Sequence, residues 1–542
     1  MARMNDARNP RRVEIYDTTL RDGTQGLGFN LSLEDKLRIL RALDHMGVDY
    51  VEGGYPLSNP KDSAFFHETR SIRLQRARLA AFGMTRRKGY RAEDDPGMAA
   101  LLTAETPVVT LVGKTWDFHV REVLRVDLDE NLRMIADSVG YFAARGREVI
   151  YDAEHFFDGL KNNPDYALRT VEAAAEAGAR LVCLCDTNGG SLPSEIGEAV
   201  ATVRARLGDV PLGMHPHNDG GLAVANALEA VRGGAVQVQG TMNGVGERCG
   251  NVDLIPVIAN LALKMGCDVL DGPSSVARLT ELSRLVDQVA DREPVTGQPY
   301  VGIAAFAHKG GMHVHAVQRN VATYEHVPPE SVGNERRILV SELSGVSNIR
   351  ERTSGLLGLR TLTTEKHREI LEAVNRLERE GYVFEAAEAS FELLVLRVLG
   401  EERVHFRVDH YQCGVFRVEG GSPVTTGLVT LRVDGEISRG TSEGEDPLAA
   451  LEGALRRALA VHYPGLEAVR LEDRKFRAVE RPGERATRVR VTTQFTDGER
   501  YWTTVAVGQN VIDAGLESLV EGFEYYLMQL DRPDEAEGAG GS

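Results

Sequence analysis

At 542 residues the chain is long enough for two or three domains and a large buried core. Its 63 basic and 80 acidic residues leave a net charge of −17, with no basic stripe interleaved with aromatics, so no nucleic-acid partner is expected. No apolar run approaches the ~20 residues that span a bilayer, and the opening MARMNDARNPRR lacks the apolar core of a secretory signal; a cytoplasmic protein with no membrane partner is expected.

From the N-terminus, apolar β-branched runs alternate with helical periodicity. Strands are predicted at 13–17, 50–53, 79–83, 108–112, 149–153, 181–186, 212–215 and 235–240. Eight strand–helix units in a row predict a (β/α)8 TIM barrel closing near residue 265, although an open doubly wound sheet would show the same alternation and only the strand count separates the two. The first helix illustrates the punctuation: Ser32 caps it with Asp35 three residues on, Leu37, Leu40 and Leu43 follow, and Gly47 stops it.

The predicted strand ends carry chemistry. The first runs into YDTTLRDGTQ, the second carries Glu52, the fifth ends DAEH at 152–155, and the sixth ends CDTNGG at 185–190. Acidic groups buried in a strand alternation are expensive unless paired or bound, and polar layers of the barrel itself account poorly for all four. Cys183 and Cys185 alternate on the sixth strand and Cys249 lies in a glycine-rich loop; with five cysteines and no Cys-x-x-Cys, reduced structural thiols are expected.

The stretch 211–251, PLGMHPHNDGGLAVANALEAVRGGAVQVQGTMNGVGERCGN, is where the reacting groups are expected. His215 and His217 stand two apart at a strand end, so both imidazoles face one side and can reach one ion. By itself the pair is equally a pair of exposed strand histidines. Loops that follow parallel strands open on one face, so the loop closing at Asn251 is expected to converge with both histidines.

After the barrel, 293–358 reads as a glycine-rich connector of short helices, 365–381 as a helix, and a further domain starts near Ser390. There an alternating strand with an Asp-Gly turn occurs twice, at Asp434-Gly435 and Asp497-Gly498, each followed by a helix, at 447–459 and 511–527. Two hairpin–helix repeats without a catalytic cluster suggest a small-ligand or dimerisation module, or a purely structural one. The acidic, glycine-rich end DRPDEAEGAGGS is expected to be disordered. The expected division is a catalytic barrel at 1–290, a mostly helical connector at 291–389 contributing to the active site, an α+β regulatory or dimerisation domain at 390–530, and a tail at 531–542.

YDTTLRDGTQ, HPHND and NGVGERCGN, in this order and spacing, resemble the acyl-CoA Claisen condensing enzymes that include 2-isopropylmalate, homocitrate and (R)-citramalate synthases. SNPKD, WDFHV, YDAEHFFDG, CDTNGG and HKGGMHVHAV are most similar to the (R)-citramalate synthase branch, and the likeness spans the chain. The resemblance implies a divalent metal (Zn, Mn, Co or Mg) on Asp22, His215, His217 and Asn251, a mixed nitrogen and oxygen set with positions left open. It implies substrate contacts from Arg21, Glu52, His119 and Thr187, and catalytic roles for Arg21, Glu154, His313 and Tyr324, with the general base left open between Glu154 and the later segment. The implied reaction joins acetyl-CoA, pyruvate and water into (R)-citramalate and CoA. A homodimer and isoleucine as effector are implied with it. Close rivals differ only in the 2-oxo acid; a 3-hydroxy-3-methylglutaryl-CoA-type lyase fits the long connector and C-terminal module less well, and a non-catalytic amino-acid sensor fits the intact Arg21, Asp22, His215, His217, Asn251 set less well. Two departures stand out: Pro216 sits between the histidines where relatives commonly have threonine, and His313-Val314-His315 forms a second His-x-His without a nearby acidic ligand.

Overall fold

The computed structural model describes residues 10–338, 346–354, 362–417, 423–479 and 488–531. Contacts divide the chain into two units, one of Met1–Phe306 with His326–Arg336 and one of Ala307–Glu325 with Arg337–Ser542. The barrel's unit thus runs past residue 290, where the sequence reading divides the chain, and the 291–389 connector is shared between the two.

In the first unit eight parallel strands close into a barrel: β1 Glu14–Asp17, β2 Tyr50–Gly54, β3 Arg78–Met84, β4 Val108–Lys114, β5 Glu148–Glu154, β6 Leu181–Asp186, β7 Leu212–Pro216 and β8 Gln237–Gly240. Closure is explicit in the pairing of β8 back onto β1, Glu14 opposite Gln237 through Asp17 opposite Gly240, which excludes the open sheet. The helix Leu33–Met46 begins with the expected capping box between Ser32 and Asp35 and buries Leu37, Leu40 and Leu43. Gly47 ends it at φ 82°, where a Cβ would come within 2.6 Å of the Asp271 carboxylate.

Alternation stacks the barrel's interior in layers. At the floor, Arg180 pairs with Glu14, Arg78 pairs with Glu148, and the Tyr50 hydroxyl donates to Glu148 at 2.8 Å. Above it, Tyr16, Ala80, Val108, Ile150, Leu181 and Cys183 form an apolar plug. Above the plug the inward residues turn polar: Glu52, Asp152, His215 and Gln239 are all buried. All five cysteines are free thiols.

The second unit opens with a two-stranded parallel pair, β9 Ala307–His308 and β10 Arg337–Ile338. Its helices Thr364–Arg379 and Glu388–Leu399 bury Ile370, Val374, Phe391 and Val395 together with Phe384. Two repeats follow, each of three antiparallel strands and a helix: β11 Arg407–Phe416, β12 Val424–Val433, β13 Glu436–Gly444 and helix Pro447–Ala460; then β14 Arg470–Val479, β15 Arg488–Thr496, β16 Tyr501–Gly508 and helix Val511–Leu530.

The sequence reading finds the hairpin and helix of each repeat but not the leading strand. β11 and β14 are edge strands bearing Asp409, His410 and Gln412, or Asp473, Arg474 and Lys475, and each breaks its alternation at a register shift, between Val408 and His410 or between Leu471 and Asp473. Gly440 lets the first repeat's helix lie on the sheet, since a Cβ there would sit 1.9 Å from the Ala454 carbonyl oxygen. Asp434 and Gly435 both take positive φ, 48° and 88°, as a two-residue hairpin turn requires. Ser390, the expected start of the C-terminal domain, lies inside the Glu388–Leu399 helix, where its hydroxyl accepts from the Val505 N–H at 2.9 Å. Residues 532–542 of the expected tail lie outside the described residues.

Candidate active site and metal centre

Asp22 reaches the barrel mouth on a tight turn after β1, where the Thr18 carbonyl accepts from the N–H groups of Arg21, Asp22 and Gly23 at 3.1, 2.9 and 3.1 Å. The turn is tied to the loop after β8: the Thr19 hydroxyl accepts from the Met242 N–H at 2.9 Å and donates to Asp17 at 2.8 Å. Burial pushes the Asp17 carboxyl up to about 7.

His215 lies on β7 and His217 immediately beyond it, their rings 5.5 Å apart and inclined by 28°. Pro216 is the last residue of β7, and its carbonyl accepts from the Val252 N–H at 2.9 Å while Asn218 donates to the Gly250 carbonyl at 2.9 Å. The chain beyond β8 is thereby zipped onto the end of β7, with Asn251 bridged to His217. Glycine makes the approach possible: Gly246 has φ 154°, and a Cβ there would lie 2.3 Å from Asn251 Nδ2.

Asp22 Oδ2 is 3.2 Å from His215 Nε2 and 3.8 Å from His217 Nε2, all three side chains are buried, and their ligand atoms lie within 4.8 Å of one another. Beside them Asn251 Oδ1 and His217 Nδ1 are buried without a hydrogen-bond partner. Buried polar atoms are rarely orphaned, so an unpaired amide oxygen beside two imidazoles and a carboxylate fits a divalent metal ion. Electrostatics point the same way. Burial alone would raise Asp22, but Arg21 and the histidines outweigh it and hold its carboxyl well below the usual range. Burial opposes charge on His215, yet the Asp22 hydrogen bond pushes it up to about 10, while burial and His215 bring His217 down to about 4. The pocket draws one positive charge against Asp22, a demand that a cation meets with both imidazoles neutral.

Arg21 lies flat on the Phe82 ring, 3.8 Å from its centroid, and Nε and Nη2 both donate to Glu52 at 3.0 Å. Its Nη1 stands 3.3 Å from Asp22 Oδ1. Glu52, expected to contact the 2-oxo acid, is fully buried, with Arg21 and the Thr18 hydroxyl on its carboxylate.

Across the mouth, Glu154 ends β5 ion-paired to Lys114 of β4. His119 stacks on Trp116 at 5.2 Å and meets His155 at 4.3 Å. His155 adopts φ 55°, a strained value for a side chain with a Cβ, and its N–H donates to the Thr187 hydroxyl at 2.8 Å. The Thr187 hydroxyl proton is left to be donated elsewhere. His313 and Tyr324 belong to the second unit, where their rings stack at 4.1 Å. His313 and His315 lie on one helix, Gly311–Arg319, and positions two apart on a helix face different sides, so this second His-x-His does not chelate.

Sequence reasoning assigned no role to Trp116 or His155, though both lie in quoted motifs, and did not single out Phe82 or Gln239. A signal for the last was present: Gln237 and Gln239 are two apart on β8, an inward polar pair where an apolar pair would fill the barrel. A second cluster, Asp152 with Cys183 and Cys185, is fully buried; its carboxylate accepts from Gln239 and burial drives the Cys183 thiol pKa up, so it belongs to the core.

Residues 12–286 match the HMGL-like family, 300–381 the homocitrate synthase post-HMGL domain-like family, and 385–527 the LeuA allosteric (dimerisation) domain. The (R)-citramalate synthases of Geobacter sulfurreducens and Aquifex aeolicus are each 46% identical over 528 residues, covering 97% of this chain and 99% of the relative. The chain belongs to the (R)-citramalate synthase family. A third family member, from Synechocystis sp., is 46% identical over 95% of this chain and 96% of its own. The three family matches together span the barrel, the intermediate segment and both βββα repeats.

Proposed function

We propose that the protein condenses acetyl-CoA with pyruvate and water to give (R)-citramalate and CoA. The observation that carries this is the convergence of Asp22, His215, His217 and the unpartnered Asn251 oxygen beside Arg21, at the mouth of a barrel of this family. Those four would hold a divalent metal, which when bound polarises the ketone of the 2-oxo acid. Arg21, clamped by Glu52 and Phe82, offers its Nη1 hydrogens to the oxygen that becomes an alkoxide. Thr187 donates its hydroxyl proton to the 2-oxo acid's carboxylate, and His119, on Trp116, lines the same mouth. Proton transfer falls to Glu154 or to the stacked His313–Tyr324 pair: a methyl proton passes from acetyl-CoA to the base, the enolate carbon attacks the ketone carbon, the alkoxide takes a proton back, and water cleaves the thioester to release CoA.

The test is CoA release across a panel of 2-oxo acids. Pyruvate is expected to give the highest kcat/KM. The isopropyl group of 2-oxoisovalerate adds two carbons, each worth ~1–3 kcal/mol in a fitted pocket, so preference reaches about 10²-fold or more. A higher kcat/KM for 2-oxoisovalerate would overturn the pyruvate assignment.

The same reading extends to a cytoplasmic homodimer with a catalytic 1–290 barrel, a 291–389 segment that contributes to an active site, and a 390–530 module for regulation or dimerisation. Support for the last is the match of 385–527 to an allosteric and dimerisation domain. Isoleucine is the proposed effector, bound near the Asp434-Gly435 and Asp497-Gly498 turns. Titrating isoleucine into the full-length enzyme is expected to weaken apparent substrate affinity by ~5–150-fold, the usual span of a coupling energy between sites. Unchanged kinetics at saturating isoleucine would remove it as effector.

A further inference from the structure

We propose that Gln239 is a positioning residue for the metal centre: it fixes His215 as the Nδ1–H tautomer and turns the Nε2 lone pair toward Asp22 and the bound ion. The inference rests on the metal reading above and adds a residue outside the ligand set. Gln239 is fully buried on β8, and its Oε1 lies 2.9 Å from His215 Nδ1. Its Nε2 donates to Asp152 Oδ1 at 3.1 Å and to Gln237 Oε1 at 3.3 Å.

The direction of this chain is set from below. Gln237 Nε2 donates at 3.2 Å to Glu14, whose carboxylate is paired with Arg180 at the barrel floor and accepts only. Gln237 must therefore turn its oxygen upward, Gln239 must meet that oxygen with its NH2 group, and the Gln239 oxygen is left facing His215. An oxygen there accepts a hydrogen, so the proton sits on Nδ1. His215 Nε2, 3.2 Å from Asp22 Oδ2, is then the nitrogen available to a metal. Metal-bound histidines commonly donate their other N–H to a carboxylate or carbonyl, which fixes ring orientation and raises basicity; losing the partner lowers affinity ~10–100-fold. The barrel floor and the metal centre are thus linked through one line of oriented amides.

The experiment is Mn²⁺ binding to full-length protein, with free Mn²⁺ read by electron paramagnetic resonance, for the parent, Gln239→Leu and the double variant Gln239→Glu, Asp152→Asn. Leucine keeps the volume and removes the acceptor; the double variant exchanges the amide and the carboxylate of the 239–152 hydrogen bond, so a donor still meets position 239 and an acceptor still faces Nδ1–H. Gln239→Leu is expected to weaken Mn²⁺ binding about 10–100-fold with the far-ultraviolet circular dichroism unchanged, and the double variant to stay within about threefold of the parent. Leucine binding like the parent, or the double variant losing as much as leucine, would overturn the role of Gln239 and leave the metal site standing. If the leucine variant does not fold, the double variant decides alone: retained affinity supports the role, and a tenfold loss overturns it. A parent that binds no Mn²⁺ would overturn the metal reading and this inference with it.

Discussion

Exhaustive chelation is expected to abolish CoA release, with activity returning when a divalent ion is restored. A metal acting on a carbonyl is worth several kcal/mol of transition-state stabilisation, and each 1.36 kcal/mol is tenfold in rate, so the loss should exceed about 10²–10³-fold. His217→Ala should lower metal content and kcat together. Its Nε2 stands 3.8 Å from Asp22, and its removal leaves Asp22, His215 and Asn251 as an incomplete set. Metal content by elemental analysis and CoA release on the same preparation check the result. Full activity in verified metal-free protein would remove the ion from the reaction.

Arg21→Ala is expected to fail in two separable ways. It removes the donor beside Asp22, a loss of ~10²–10³ in kcat for an oxyanion-stabilising group. It also leaves Glu52 fully buried with Thr18, among the described residues, as its remaining partner, and breaking a buried pair from one side destabilises by ~3–5 kcal/mol. The double variant Arg21→Met, Glu52→Gln removes both charges at similar volume. It should recover most of the lost thermal stability and none of the activity. Denaturant unfolding and kcat on the single and double variants separate the contributions; recovery of activity in the double variant would show that Arg21 acts only through packing.

Glu52 shows where sequence reasoning stops. Its position on a strand end is legible, and so is the expense of burying an acid there. That its carboxylate meets the edge of Arg21, whose guanidinium also lies over the Phe82 ring of β3, is an arrangement that no local pattern announces. The leading strands β11 and β14 were illegible for the opposite reason. They pair along β12 and β15, and in each a register shift, between Val408 and His410 or between Leu471 and Asp473, breaks the alternation that a local reading needs.

Legible in the sequence by itself were the eight strand–helix units, the hairpin and helix of each C-terminal repeat, and the convergence of His215, His217 and Asn251; the family resemblance added Asp22 to them, and the pairing of β8 with β1 chose the closed barrel over the open sheet. Those features are written in short-range patterns: alternation along a strand, caps around a helix, two histidines on one face, glycines where the loop passes close to Asn251. The tertiary structure alone decided how the polar groups inside the barrel share their hydrogens. Glu14, Gln237, Gln239 and His215 come from three strands, with bonded partners up to 223 positions apart, and the pairing of β8 with both β7 and β1 brings them into line. A strand's periodicity tells which face a side chain takes. Which donor meets which acceptor depends on the register between strands, and that is fixed by closing the barrel as a whole.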